Sequence, residues 1–302
     1  PGMVADEIRD LGIPVFSHPD AIDFSPDIIH GHHYPTTAIA LARHPNTPAV
    51  FFCHDATVWH DDPLVHPRVC RYVAVDEACR DRLHSAGIGR VDILLNSVNL
   101  ERFRPRSALP SKPSKALVFS NAAAESNYLP AIRGACAQEN IDVDVIGSGA
   151  SNTCHRPEDF LGQYDIVFAK AKAAMEAMAV GSAVVLCDLL GAGPMVDSRA
   201  FDLLRMRNFG RRTLTEESTR AHFREQIRRY DARDAARVQT RIRRDASLVG
   251  MVDKPLNLFD TTIREFQASD NDAPSESLAP AAILQNASDK ILRAPGGDLL
   301  LR

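Results

Sequence analysis

No stretch of the 302 residues approaches the ~18 consecutive apolar residues that a membrane-crossing helix needs, so no spanning helix is expected. Nor is a signal peptide expected, because Pro1-Gly2 leads directly into polar, helix-forming sequence. The chain opens without Met, so either residues preceding Pro1 are expected to be lost or its start codon to be misplaced. It has no excess of base: 35 Lys and Arg against 39 Asp and Glu give a formal net charge of −4. That balance excludes a general nucleic-acid binder, which needs a basic surface to neutralise phosphates. It has no Cys-x-x-Cys, and its six cysteines fall singly, as reduced thiols of a cytoplasmic protein would. What is present is ordinary for a folded domain: 45% hydrophobic and 25% charged residues, in a chain long enough for two cores.

Strand-like and helix-like segments alternate along the first hundred residues. A helix is expected over 3–11, closed by Gly12, then strands at 14–16, 27–30, 49–53, 71–75 and 91–95, with helices at 36–43 and 77–86. Alternation of this kind gives an open parallel sheet, whose ligands bind beyond the carboxyl ends of the strands. His30, His54 and Asn96 all fall at such ends. Ser107 to Lys115, rich in Pro and Ser, reads as a linker between domains.

The most informative stretch runs from Asp165 to Asp188. Ile166 to Ala169 is a short apolar run suited to a strand covered on both faces. Ala171 to Val180 consists of strong helix formers, and Gly181 stands where a helix would end in a left-handed residue. Ala183 to Cys187 is again a buried strand, so the three segments form one β-α-β unit with a right-handed crossover. Lys170 and Lys172 lie beside the positive end of that helix, where free backbone N–H groups and two ammonium groups would hold an anion. Glu176 follows one turn later among apolar neighbours. Two readings stand: surface lysines with Glu176 on a solvent stripe, or a diphosphate held at the helix start with Glu176 accepting from a ribose.

The run Glu-Ala-Met-Ala-Val-Gly-Ser-Ala-Val-Val from Glu176 resembles the donor-binding signature of GT-B glycosyltransferases of the family 4 type. Asn96-Ser-Val-Asn-Leu-Glu-Arg-Phe-Arg-Pro105 is similar to the Asn-Gly-Val-Asp-x-x-x-Phe-x-Pro stretch that ends the first domain in that family. Ile146-Gly-Ser-Gly149 and Pro157-Glu-Asp-Phe160-Leu resemble two further elements. The resemblance implies two Rossmann-like α/β domains with parallel sheets facing a cleft. The family's first domain opens on a strand and a glycine-rich loop, so here it is expected to be incomplete at its N-terminus. The implied division is an acceptor-side domain at 1–106, a linker at 107–115, a donor domain at 116–250, a crossover helix at 251–267 and a disordered tail at 268–302.

The implied activity is transfer of a sugar from a nucleoside-diphosphate-sugar to an acceptor, retaining and without metal or other cofactor. Catalytic roles fall to His54, Lys170 and Lys172, and donor contacts to Glu176, Ala177, Asn121, Gly147 and Gly149. His30, His32 and Asp55 lie on the acceptor side. The acceptor, whether sugar, lipid or protein, is not specified, nor is the oligomeric state. A cytoplasmic location, with peripheral association at the inner face of the membrane, goes with this reading.

Two alternatives come from what the pattern lacks. Phe168 stands where the first acid of the family's Glu-x7-Glu pair falls, and the loop Asn121 to Tyr128 has no Arg or Lys. Both departures suit a GT-B protein that binds or partners without transferring. The second alternative is a zinc hydrolase built from His30, His32, His33, His54-Asp55 and His60-Asp61-Asp62. The His-x-His-x-Asp-His pattern is not met, since Tyr34 and Pro35 follow His33. The arginines between Arg220 and Arg244 read as a solvated helical face laced with ion pairs, or as a basic groove for a phosphorylated acceptor.

Overall fold

The computed structural model describes residues 2–269 and Ile283. The described residues divide into two compact units, 2–74, 79–93 and those from 256 onward in the first and 75–78 and 94–255 in the second.

In chain order the elements begin with α1 (Met3–Asp10), β1 (Ile29–Gly31), α2 (Tyr34–Arg43), β2 (Ala49–Cys53), β3 (Val69–Ala74), α3 (Glu77–Ser85) and β4 (Asp92–Ile93). The four strands form one parallel sheet in the order β1-β2-β3-β4. β2 is apolar at every position and wholly buried, as a central parallel strand covered on both faces must be. The expected strand at 14–16 does not form. Pro14 removes a ladder donor, and Phe16 packs on Phe24 at 6.2 Å between ring centroids instead.

The second unit holds β5 (Lys115–Phe119), α4 (Leu129–Gln138), β6 (Asp142–Ile146), β7 (Ile166–Ala169), α5 (Ala171–Val180), β8 (Ala183–Asp188), β9 (Gly191–Met195), α6 (Phe201–Met206), α7 (Arg220–Arg228), α8 (Ala232–Asp245) and α9 (Leu248–Met251). Its sheet has the order β6-β5-β7-β8-β9, parallel except for β9. The β7-α5-β8 crossover follows the sequence pattern closely, and Gly181 ends α5 at φ 111°, where a side chain would be strained. The stretch 191–194, Gly-Ala-Gly-Pro and turn-like in composition, is part of strand β9. It carries Pro194, which an edge strand tolerates because the missing N–H faces away from the ladder. From Pro157 to Gln163 the chain forms two short 3₁₀ turns.

The arginine-rich region is two helices, not one. Asp231 breaks it by capping α8, its carboxylate accepting from the Arg233 and Asp234 N–H groups. Arg224 and Arg228 share Glu139, and Arg229, Arg237, Arg241 and Arg244 pair with Glu225, Asp234, Asp202 and Asp245. Arg243 donates to the carbonyls of Phe103 and Ala179, tying the Asn96–Pro105 stretch to α5 and α8, and Val98 and Phe103 lie in that core.

The last helix is α10 (Asp253–Ala268). From Leu256 onward it belongs to the first unit, where Phe259 meets His30 at 5.0 Å and Glu265 pairs with Arg71. Of the expected tail, residues 270–302 apart from Ile283 lie outside the described residues. Among the described residues, no helix is long and apolar enough to cross a membrane.

Candidate functional site

In the second unit a concavity of about 360 Å³ opens at the carboxyl ends of β5, β7 and β8, lined by Phe119, Ser120, Asn121, Ala122, Lys170, Ala173 and Asp188. The sheet puts it there: three parallel strands end side by side, and α5 starts at its edge. Lys170 is the N-cap of α5 and forms an ion pair with the buried Asp188 carboxylate at the end of β8. Ala171 then adopts a left-handed backbone, φ 48°, and its N–H donates to the Phe209 carbonyl. Among the described residues, the N–H groups of Lys172 and Ala173 are left without a backbone acceptor, as expected in the first turn of a helix. Of these residues, Lys170 and Ala173 line the hollow.

The expected residues do not all gather there. Lys172 is exposed, and its charge acts on Glu176 rather than on the concavity. Glu176 is half-buried, beside Arg102, Glu158 and Lys172. Burial pushes its carboxyl up to about 7, against the opposing pull of Lys172 and Arg102, while Glu158 adds to the rise. Ala177 is wholly buried in the core and presents no surface to a ligand.

Gly147 and Gly149 act through packing. The N–H of Gly149 donates to the Asn121 carbonyl at 2.9 Å, and a methyl group there would meet the Ala123 and Asn121 carbonyls at 2.6 and 2.8 Å. Gly147 has φ 156°, and a Cβ would run into the Ser120 carbonyl. The Asn121 side chain accepts from the Ser148 N–H at 3.1 Å. These three residues lock the loop after β6 onto the loop after β5, and so shape one wall of the concavity.

In the first unit the histidines converge at the carboxyl ends of β1 and β2. His32 Nδ1 lies 2.6 Å from His54 Nε2, and their rings stack at 4.9 Å. His30 stands 4.2 Å from the His32 ring and 4.5 Å from Phe52. Each ring shuts water away from the next, and this desolvation lowers all three, His32 to about 4 with help from its imidazole neighbours. At neutral pH the rings are neutral, able to accept a proton or a hydrogen bond. Asp55 is held differently: its carboxylate accepts from the Thr57 N–H at 2.6 Å, the Thr57 hydroxyl and the Val58 N–H, an Asx turn that shapes the loop.

Several residues near these sites escape the sequence reading. Asp188 was within the central stretch with no role, and only the pairing of β7 with β8 puts it beside Lys170. Arg102 and Glu158, 2.9 Å apart, come to Glu176 from distant loops. His33, His60 and Asp61, by contrast, belong to the zinc-hydrolase set read from the sequence, and the structure gathers these three into one cluster.

Two α/β units, each with polar groups at the carboxyl ends of parallel strands, are compatible with the Rossmann-like class of folds, in which ligands bind at such ends. Within that class, residues 6–102 match the family model described as Glycosyltransferase Family 4, and this match supports a glycosyltransferase. The matched span includes His30, His32 and His54 and ends before the Asp165–Asp188 stretch. No curated protein matches the chain.

Proposed function

We propose that the protein is a retaining glycosyltransferase that moves a sugar from a nucleoside-diphosphate-sugar to an acceptor hydroxyl, the second unit holding the donor and the first the acceptor. The observation that carries this reading is the hollow at the start of α5, lined by Lys170 and by Ala173 of the first helical turn. Positive groups fixed there would stabilise the charge that develops on a diphosphate leaving group without a metal on the phosphates. Glu176 would accept from the ribose, with Lys172 and Arg102 favouring its charged form. His54 would meet the transferred sugar, and His30 and His32 would orient the acceptor, a sugar, lipid or protein. A cytoplasmic place of action, with peripheral contact to the inner face of the membrane, suits a lipid acceptor.

Titration calorimetry with a panel of nucleoside diphosphates, followed by a donor-hydrolysis assay, tests the reading. One nucleotide should bind, and Glu176→Ala should weaken it by about 1–3 kcal/mol, the cost of removing a charged acceptor. Failure of every nucleotide to bind overturns the proposal. A second reading, binding without turnover, is favoured by one observation: Asp188 already satisfies Lys170. Tight nucleotide binding with no donor hydrolysis would select it.

A further inference from the structure

His33, His60 and Asp61 offer three ligand atoms, all within 4.8 Å of one another. We infer that they bind a divalent transition-metal ion, zinc by preference, in the first unit. Two imidazoles and one carboxylate are the ligand types such ions select, and magnesium or calcium would choose oxygen alone. A pair at the full 4.8 Å must close by about 1 Å to share an ion at ~2.0–2.2 Å, within the reach of side-chain rotation.

The scaffold around the trio is fixed before any ion arrives. His33 is the residue before α2, and its Nδ1 lies 2.9 Å from Asp61 Oδ1. His60 and Asp61 sit on a 3₁₀ turn, Trp59–Asp61. Arg82 of α3 holds the preceding loop by donating to the carbonyls of Asp55 and Val58 at 2.8 and 2.9 Å and by pairing with Asp62. The Cys53 thiol reaches the Asp61 carbonyl from beneath at 3.7 Å.

Burial is the second, independent observation. Asp61 is 2% exposed, and a carboxylate taken so far out of water needs a compensating positive charge or donors. No arginine or lysine meets it among the described ion pairs; its partner there is the exposed His33. A simple His33–Asp61 hydrogen bond accounts for two of the three groups. It does not use His60, whose ring stands edge-on to His33 at 4.9 Å and to Trp59 at 6.0 Å. An ion uses all three and leaves one position for water or for an oxygen of a bound ligand. This site lies in the first unit, and the diphosphate chemistry proposed for the second does not draw on it.

The test is zinc titration of the full-length, tag-free protein against a competing chelator, with X-ray absorption at the zinc edge. One ion per chain should bind, with a first shell of nitrogen and oxygen at ~2.0–2.2 Å. His60→Ala leaves the His33–Asp61 pair intact, so the variant should fold normally. It should lose at least about 100-fold in zinc affinity, beyond the cost of losing an outer-sphere partner. Asp61→Asn provides a second variant with a similar loss expected. Binding of less than one ion, a sulfur-containing first shell, or unchanged affinity in folded His60→Ala would overturn the assignment.

Discussion

Lys170, at the start of α5, spans the carboxyl ends of two neighbouring strands to pair with Asp188, the last residue of β8. The lysine side chain is 33% exposed and the aspartate 9%, so the acid depends on the pair more than the base does. An arriving diphosphate would compete with Asp188 for one ammonium group.

Asp188→Asn should therefore release Lys170 and tighten nucleoside-diphosphate binding several-fold. Lys170→Met should weaken it, and should also cost about 1–3 kcal/mol of stability by leaving a buried carboxylate unpaired. Calorimetry for binding and urea unfolding for stability separate the two effects. Weaker binding in Asp188→Asn would show that the acid itself meets the ligand.

Glu176 gives a pH dependence of definite sign. Its proton is held up to about 7 in the fold, whereas an ordinary glutamate releases it near 4.5. Between those values the native state binds more protons than the unfolded chain, so the glutamate's contribution to stability is complete below 4.5 and is lost as pH rises through 7. Unfolding midpoints compared at pH 5 and pH 8 should show this loss in the parent and not in Glu176→Gln. Nucleotide affinity should rise over pH 6–8 more steeply in the parent than in that variant, because a ribose hydroxyl donates to the ionised form.

Ala171 holds a left-handed backbone that alanine adopts at a cost of about 1–2 kcal/mol and glycine adopts freely. Ala171→Gly keeps the N–H that donates to Phe209. It should raise stability by about 1 kcal/mol in urea unfolding and leave nucleotide affinity unchanged.

Gly147→Ala should act in the opposite direction, losing about 1–3 kcal/mol through the clash with the Ser120 carbonyl and displacing the wall of the concavity. Gly89→Ala is the control: a Cβ there meets nothing within 4 Å, and its effect should stay within ~0.5 kcal/mol. Nucleotide binding should fall in the first variant only.

The parts of the fold that were legible in the sequence are those set by local pattern. β7, α5 and β8 begin and end where apolar runs, helix formers and Gly181 put them, because each boundary is fixed by neighbours in the chain. β9 is not legible in the sequence because Gly-Ala-Gly-Pro is turn chemistry by composition. Only its pairing with β8 makes it a strand. The site was less legible for the same physical reason. Lys170 and Glu176 carry charge and so attract notice, but Asp188, Arg102 and Glu158 reach them only through tertiary packing. The trio of His33, His60 and Asp61 spans two loops, and no spacing rule joins residues across a sheet end.

The edge position of β9 has a consequence for how this protein can meet others. Its outward-facing backbone is already engaged: Ala192 exchanges hydrogen bonds with Glu216, the Gly193 carbonyl meets His222, Pro194 has no N–H, and the Met195 N–H is taken by Gln226. On the opposite edge β6 exposes Asp142 and Asp144, the latter paired with Lys115 and accepting from the Tyr164 hydroxyl. The β9 border therefore does not invite a foreign peptide to extend the sheet by β-augmentation. Strand addition to this sheet is thereby confined to its β6 edge.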